Sequence, residues 1–215
     1  MDDRVAGVLH RLDDRARTEA TELDALNALG PEHVRAAAAR LMLDVGPEVG
    51  ALLNVLVRCS GARRIVEVGG SIGYSTIWLA EAASATGGTV VSIEPDEAKL
   101  AEQRENLAAA GLAGHVRQVA AAAEDVLPTL DAPFDLVLID HWKALYVDAF
   151  EGAWPRLRRG GLVVADNVLR PEATIDEMRR YIAHVRAVPD AVSVTLDVGD
   201  GVELTCRAGR GEGGP

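Results

Sequence analysis

The chain has 215 residues, of which 48% are hydrophobic and 26% charged, a composition typical of a soluble globular protein. Its net charge of −11 disfavours binding to phosphate backbones and anionic lipid, so neither nucleic acid nor a membrane is an expected partner. The two cysteines, Cys59 and Cys206, are too few for a disulfide framework and are not spaced as zinc ligands. With no apolar run of membrane-spanning length and no signal-peptide pattern at the N-terminus, the expected location is cytoplasmic.

The first 60 residues are predicted to be helical cap segments. Apolar residues at helical spacing predict helices over 1–29, 36–43 and 48–58, with Gly30 and Pro31 ending the first. These helices suit either a cap over a substrate or the contact surface of a homodimer, and the sequence leaves both possibilities open.

After Gly61, short β-branched runs alternate with helical patterns. Strands are predicted at 65–68, 89–93, 116–119, 134–139 and 162–165. Helices are predicted between and after them, at 75–85, 96–110, 124–130, 145–158 and 172–187. Apolar strands that alternate with helices indicate a parallel sheet covered on both faces.

The end of the chain has a different pattern. Runs at 192–196 and 202–206 are joined by the short turn 197–201, which leaves no room for a crossover helix. The expected fold is therefore α/β: a Rossmann-like, doubly wound, mostly parallel seven-stranded sheet with an antiparallel C-terminal strand and extra N-terminal helices. We expect a single domain with its α/β core at 61–208 and a disordered, Gly-rich tail at 209–215.

A glycine-rich turn, Glu67-Val-Gly-Gly-Ser-Ile-Gly-Tyr-Ser75, follows the first predicted strand. It is not the dinucleotide fingerprint, because Ser71 and Tyr74 stand where that pattern has glycines. The acidic Glu67 also disfavours a bound pyrophosphate. A cofactor without phosphate and with a positive charge fits better, and S-adenosylmethionine has both properties; another nucleotide or a purely structural turn remains open. Glu94, at the end of the second strand, can accept bonds from the ribose hydroxyls.

Two further strands end in oxygen-bearing side chains. Asp140 follows the strand at 134–139, and Asp166 and Asn167 follow the strand at 162–165. If these strands are neighbours, the two carboxylates lie about 5 Å apart and require a shared proton or a cation. Two carboxylates and an amide favour Mg²⁺ over Zn²⁺, although such Asp residues also cap helices.

Two residues next to Asp140 are further candidates. Lys143 stands three residues later, where a partly buried amine beside Mg²⁺ would have a lowered pKa and act as a general base. Trp142 suits a wall for an adenine or an aromatic substrate. A solvated lysine and a core tryptophan are the ordinary alternatives.

Taken together, the Asp140-His-Trp-Lys143 run, the Asp166-Asn167 pair and the glycine turn resemble the catechol O-methyltransferase family. The order and spacing of these segments agree from about Leu41 to Cys206. The resemblance implies a class I, S-adenosylmethionine- and Mg²⁺-dependent methyltransferase.

The family also implies roles for individual residues. Asp140, Asp166 and Asn167 would bind Mg²⁺. Lys143 would remove the hydroxyl proton, and Glu203 would bind the second hydroxyl of a catechol. The glycine turn and the resemblance together predict a larger set of cofactor contacts: Leu43, Val45, Glu67, Gly69, Gly73, Tyr74, Ser75, Glu94, Pro95, Ala123, Glu124, Asp140, His141 and Trp142.

Three positions depart from the family pattern. Leu41 replaces an expected Trp, Leu43 an expected Met, and Arg170 an apolar wall residue. A cation at the mouth of the site would favour substrates that carry a carboxylate.

The predicted function is transfer of a methyl group from S-adenosylmethionine to one hydroxyl of a small aromatic diol, assisted by Mg²⁺. Three alternatives remain at this level: an enzyme for a hydroxylated natural product that is not a simple catechol, a non-catalytic S-adenosylmethionine-binding protein, and an NAD-binding oxidoreductase. The incomplete glycine fingerprint disfavours the last.

Overall fold

The computed structural model describes residues 1–209, so most of the predicted tail, 210–215, lies outside the described residues. The strands are β1 (Arg64–Val68), β2 (Thr89–Ile93), β3 (Val116–Val119), β4 (Phe134–Ile139), β5 (Leu157–Ala165), β6 (Ala191–Leu196) and β7 (Val202–Arg207). The helices are α1 (Asp3–Leu29), α2 (Pro31–Ala37), α3 (Gly46–Ser60), α4 (Tyr74–Thr86), α5 (Glu97–Ala109), α6 (Ala123–Val126), α7 (Tyr146–Ala153) and α8 (Ile175–Arg186). In this described part, no helix is both long and apolar enough to cross a bilayer.

The seven strands form one sheet in the order β3-β2-β1-β4-β5-β7-β6. The pairs from β3 to β5 are parallel, and β7 is antiparallel to both of its neighbours. The predicted fold class is thus confirmed. The order of the strands reverses beside β1, and such a reversal opens a crevice at the carboxyl ends of the strands.

Both faces of the sheet are buried, which explains the continuous apolar strand sequences. Along β4, Leu136 and Leu138 pack into the core that contains α1, α3 and α4. Val137 and Ile139 point the other way, into the core that contains α7 and α8. This alternation of faces is the period-two geometry of a strand.

The segment after α1 differs from its prediction. The helix predicted over 36–43 lies earlier, at Pro31–Ala37, because proline is favoured in the first turn of a helix. Residues 41–45 are irregular. The amide of Met42 donates to Glu19 Oε2 at 2.7 Å, and the carbonyl of Met42 accepts from the Ser71 hydroxyl. These side-chain bonds replace the backbone bonds of a helix.

The strand β5 also starts earlier than predicted, at Leu157 instead of 162. Its first half contains Arg158, Arg159 and the pair Gly160-Gly161, which hid the strand pattern. The register with β4 shifts between Phe134 and Leu136, so this half pairs irregularly.

The turn after β1 is packed against the end of β4. Gly69 has φ +95, and a Cβ at this position would overlap the backbone carbonyl of Asp140. Only glycine satisfies both conditions, because a side chain here would meet rigid backbone and not a mobile group.

We predict that Gly69→Ala lowers the free energy of unfolding by about 3 kcal/mol or more, because strain and overlap add. Gly61→Ala is the matched control, since Gly61 also has positive φ (+63) but open space around the added Cβ. The control should cost only about 1–2 kcal/mol. Urea denaturation of both variants measures the difference; equal losses would show that the close approach is unimportant.

Candidate functional site

The glycine turn is held from below by Glu67. The side chain of Glu67 is fully buried and accepts hydrogen bonds from Ser75 Oγ and Thr76 Oγ1, each at 2.6 Å, and from Ser92 Oγ at 2.5 Å. Burial raises the pKa of Glu67, while the three hydroxyl donors oppose the rise. Glu67 and Ser75 therefore support the turn and do not line the cavity above it.

Glu94 lies on the cavity side of the same turn. Its Oε2 accepts from the amide of Ser71 and its Oε1 from the amide of Asp96, both at 3.0 Å. Ser71 has φ +43, a conformation uncommon outside glycine. The two amides fix the orientation of the Glu94 carboxylate at the carboxyl end of β2.

The ends of β4 and β5 lie side by side, as the sequence predicted for neighbouring strands. Ile139 pairs with Ala165, so Asp140 and Asp166 follow on adjacent strands. Both carboxylate oxygens of Asp166 are buried and have no hydrogen-bond partner within the described residues. Burial raises the pKa of Asp166 well above its usual range, and the neighbouring Asp140 adds to the rise. A buried carboxylate without donors is costly unless it is protonated or paired with a cation.

The side chain of Lys143 lies next to Asp140 and Asn167. Its Nζ donates to Asn167 Oδ1 at 2.7 Å and to Tyr146 Oη at 2.6 Å, and lies 3.6 Å from Asp140 Oδ1. Tyr146 Oη in turn donates to the backbone carbonyl of Asp166 at 3.0 Å. Burial lowers the pKa of Lys143, and the nearby carboxylates oppose that change.

The donor set of this edge is two carboxylates and one amide. Within residues 1–209, no three His, Cys, Asp or Glu side chains converge as metal ligands do. The amide oxygen of Asn167 is therefore essential to any three-ligand site here. Asn167 has φ +55, so the backbone is held in an uncommon conformation where the side chain is needed.

These groups line a cavity of about 760 Å³ at the carboxyl ends of the strands. This volume falls within the range of ligand pockets, about 300–1,000 Å³. Eleven of the predicted site residues line it: Leu43, Gly69, Glu94, Pro95, Ala123, Glu124, Asp140, His141, Trp142, Lys143 and Asn167.

The other predicted residues lie outside the lining. Val45 is buried in the apolar core. Tyr74 is also buried, and its hydroxyl donates to Asp13 Oδ1 at 2.6 Å. Gly73 precedes α4, where a Cβ would meet the side chain of Gln103. Asp166 is completely buried just beneath the cavity wall.

Glu203, predicted to bind a substrate hydroxyl, is not brought to the cavity. Its side chain is fully buried on β7 and pairs with Arg186 of α8 at 3.0 Å. Ser193 and Thr195 of β6 also donate to it. The side chain alternates to the face of the sheet that α8 covers, so this carboxylate serves packing.

Arg170 does not line the cavity either. Its guanidinium lies 3.2 Å from Asp197 Oδ1 and 3.3 Å from Asp200 Oδ1, and it donates to the carbonyl of Gly199 at 2.8 Å. The charge of Arg170, expected at the mouth of the site, is thus paired with acidic residues of the β6–β7 turn. Nothing in the structure links Arg170 to an acidic substrate.

Sequence reasoning missed seven charged residues of the lining: Glu32, Arg35, Asp44, Asp96, Lys99, Glu177 and Asp200. Arg35 of α2 lies over the ring of Trp142, with 4.9 Å from Cζ to the ring centroid. Asp200 was detectable, since it stands in the turn that joins the last two strands. Lys99 lies on a helix whose pattern shows only amphipathic spacing, and Arg35 precedes the helix predicted at 36–43.

Comparison with known proteins agrees with this geometry. A family model described as a methyltransferase domain matches residues 66–168. The chain is 37% identical to a catechol O-methyltransferase of Niastella koreensis, over 63% of this chain and 62% of the relative. It is 42% identical to a catechol O-methyltransferase of Mycobacterium tuberculosis, over 59% of this chain and 57% of the relative. The matches thus span about three fifths of the length of these two relatives.

A solved structure covers more of the chain. The O-methyltransferase of tomaymycin synthesis from Streptomyces achromogenes, in complex with S-adenosylmethionine, is 31% identical with a TM-score of 0.73. The match covers 97% of this chain and 91% of that one.

The sheet order, the glycine turn and Glu94 define the class of S-adenosylmethionine-dependent methyltransferases. Within that class, the chain belongs to the O-methyltransferase family. The predicted resemblance is confirmed, and membership in this family argues against an NAD-dependent oxidoreductase.

Proposed function

We propose that this chain transfers a methyl group from S-adenosylmethionine to one hydroxyl of a small aromatic diol, with Mg²⁺ bound at Asp140, Asp166 and Asn167. One observation carries the proposal: the carboxylate of Asp166 is buried and unpartnered next to Asp140 and Asn167, which line the same cavity as Glu94. This arrangement needs a cation next to the place where a cofactor of the family binds.

The residues present fit Mg²⁺. Hard oxygen donors are its preferred ligands, and three of them leave about three octahedral positions for water and substrate oxygens. When bound, the dication and S-adenosylmethionine supply a Lewis acid and an electrophilic methyl group.

Lys143 is the base in this proposal. Its Nζ lies within hydrogen-bond distance of Asn167 Oδ1 and borders the cavity, so it faces the place of a hydroxyl bound next to the metal ligands. Lys143 takes the proton of that hydroxyl. The surrounding chain orients the oxygen and excludes water, which supplies much of the rate enhancement in transfer reactions.

We assign the second substrate hydroxyl to Asp200, in place of Glu203. Asp200 lines the cavity at the turn between β6 and β7. Its backbone carbonyl accepts from the amides of Leu169 and Arg170, each at 3.0 Å, and the carbonyl of Gly201 accepts from Val168. These bonds tie the turn to the loop that carries Asp166.

A larger hydroxylated substrate is the second candidate, and the cavity wall favours it in one respect. Leu23, Val34, Ala38 and Ala39 of the N-terminal segment add an apolar wall to the cavity. A screen of catechols with and without apolar substituents separates the two candidates. Binding of S-adenosylmethionine without methyl transfer to any hydroxyl would instead indicate a non-catalytic protein.

We predict that Asp166→Asn reduces Mg²⁺-dependent methyl transfer by roughly 100-fold or more, because a buried ligand charge is lost. Affinity for S-adenosylhomocysteine, measured by calorimetry, should change by less than about threefold, under 1 kcal/mol. Asp148→Asn removes the same charge from an exposed site and is the control. Full activity of Asp166→Asn in excess chelator would exclude the proposed metal role.

A second prediction distinguishes the roles of Asp200 and Glu203 in the β6–β7 hairpin. Asp200→Asn should lower kcat/KM for the diol by about tenfold, the value of one charge-assisted hydrogen bond. Asp197→Asn is the matched control, since Asp197 also pairs with Arg170 but does not line the cavity. Glu203→Gln should lower the melting temperature and leave kcat/KM within about threefold. Loss of kcat/KM with Glu203→Gln alone would restore the original assignment.

A further inference from the structure

Lys99 is a buried lysine in the wall of the cavity. It lies on α5, two residues after the helix begins, and is only 8% exposed. Its Nζ donates to Ser71 Oγ at 3.1 Å, and the Ser71 hydroxyl donates to the carbonyl of Met42. The ammonium therefore lies where the glycine turn meets the irregular segment 41–45.

Within residues 1–209, the ammonium of Lys99 forms no salt bridge. No carboxylate of residues 1–209 lies within 4.0 Å of its Nζ, although Glu94 and Asp96 border the same cavity. Both oxygens of Glu94 already accept backbone amides. An ammonium has three donors, and Ser71 accepts one of them. Glu94, Asp96 and Glu19 interact with this charge only at longer range, so burial still lowers the pKa of Lys99. The remaining donors of the ammonium are available to a ligand.

We propose that Lys99 binds the carboxylate at the amino-acid end of the cofactor. The inference rests on the proposed use of S-adenosylmethionine, whose carboxylate is its single anionic group. An ammonium forms a stronger hydrogen bond with a carboxylate than with a neutral ribose hydroxyl. The ribose hydroxyls can instead donate to Glu94. Asp44 borders the cavity on the same irregular segment, and its acidic side chain suits the cofactor's amino group.

The test compares two ligands by calorimetry. S-adenosylhomocysteine has the amino-acid end, and 5′-methylthioadenosine lacks it. Lys99→Met should lower the affinity for S-adenosylhomocysteine by about tenfold or more, and the affinity for methylthioadenosine by less than about threefold. Arg104→Met removes a charge from an exposed position of the same helix and should change neither. Lys99→Arg keeps the charge and should recover part of the affinity.

A ligand change in the unaltered protein provides a second measurement, which does not depend on the folding of a variant. The methyl ester of S-adenosylhomocysteine should bind the wild-type chain about tenfold more weakly than the free acid. Equal weakening of both ligands by Lys99→Met would place Lys99 at the ribose, and equal binding of acid and ester would overturn the proposal. If the wild-type chain binds neither S-adenosylhomocysteine nor methylthioadenosine, the proposed function itself fails.

Discussion

The burial of the Asp166 carboxylate is the constraint on which the site depends. Two acidic side chains follow paired residues of β4 and β5, so the parallel register itself forces them together. Lys143 supplies one positive charge for these two carboxylates and contacts Asp140 and Asn167, while the oxygens of Asp166 stay without donors. A divalent cation would match the charge of the two carboxylates, free Lys143 to act as a base and satisfy those oxygens, which is why the proposed chemistry begins here.

Two supports outside the cavity hold this edge in place. Beneath the glycine turn, the hydroxyls of α4 and β2 donate to Glu67, and these three hydrogen bonds hold the turn from within the protein. At the other side, backbone bonds from residues 168–170 to residues 200–201 tie the loop after β5 to the last hairpin. Hydrogen bonds within the fold thus bring separate parts of the chain together at the site.

The sequence predicted the strands and the convergence of Asp140, Asp166 and Asn167, because alternation of strands and helices leaves few possible sheet orders. It could not predict which carboxylate of the hairpin enters the cavity. Glu203 and Asp200 are three residues apart, and the choice depends on strand register and on the Arg186 partner that Glu203 finds on α8. The role of Lys99 was equally hidden, since only tertiary contact between α5 and the glycine turn buries it.

The most direct test of the account is the position of a bound metal ion. In crystals grown with S-adenosylhomocysteine and Mn²⁺ in place of Mg²⁺, anomalous scattering should give one peak about 2.0–2.3 Å from an oxygen of Asp140, of Asp166 and of Asn167. Lys143 should then have left Asn167 Oδ1. Saturating Mn²⁺ with no peak at this edge, and with Lys143 still bonded to Asn167, would contradict the central claim.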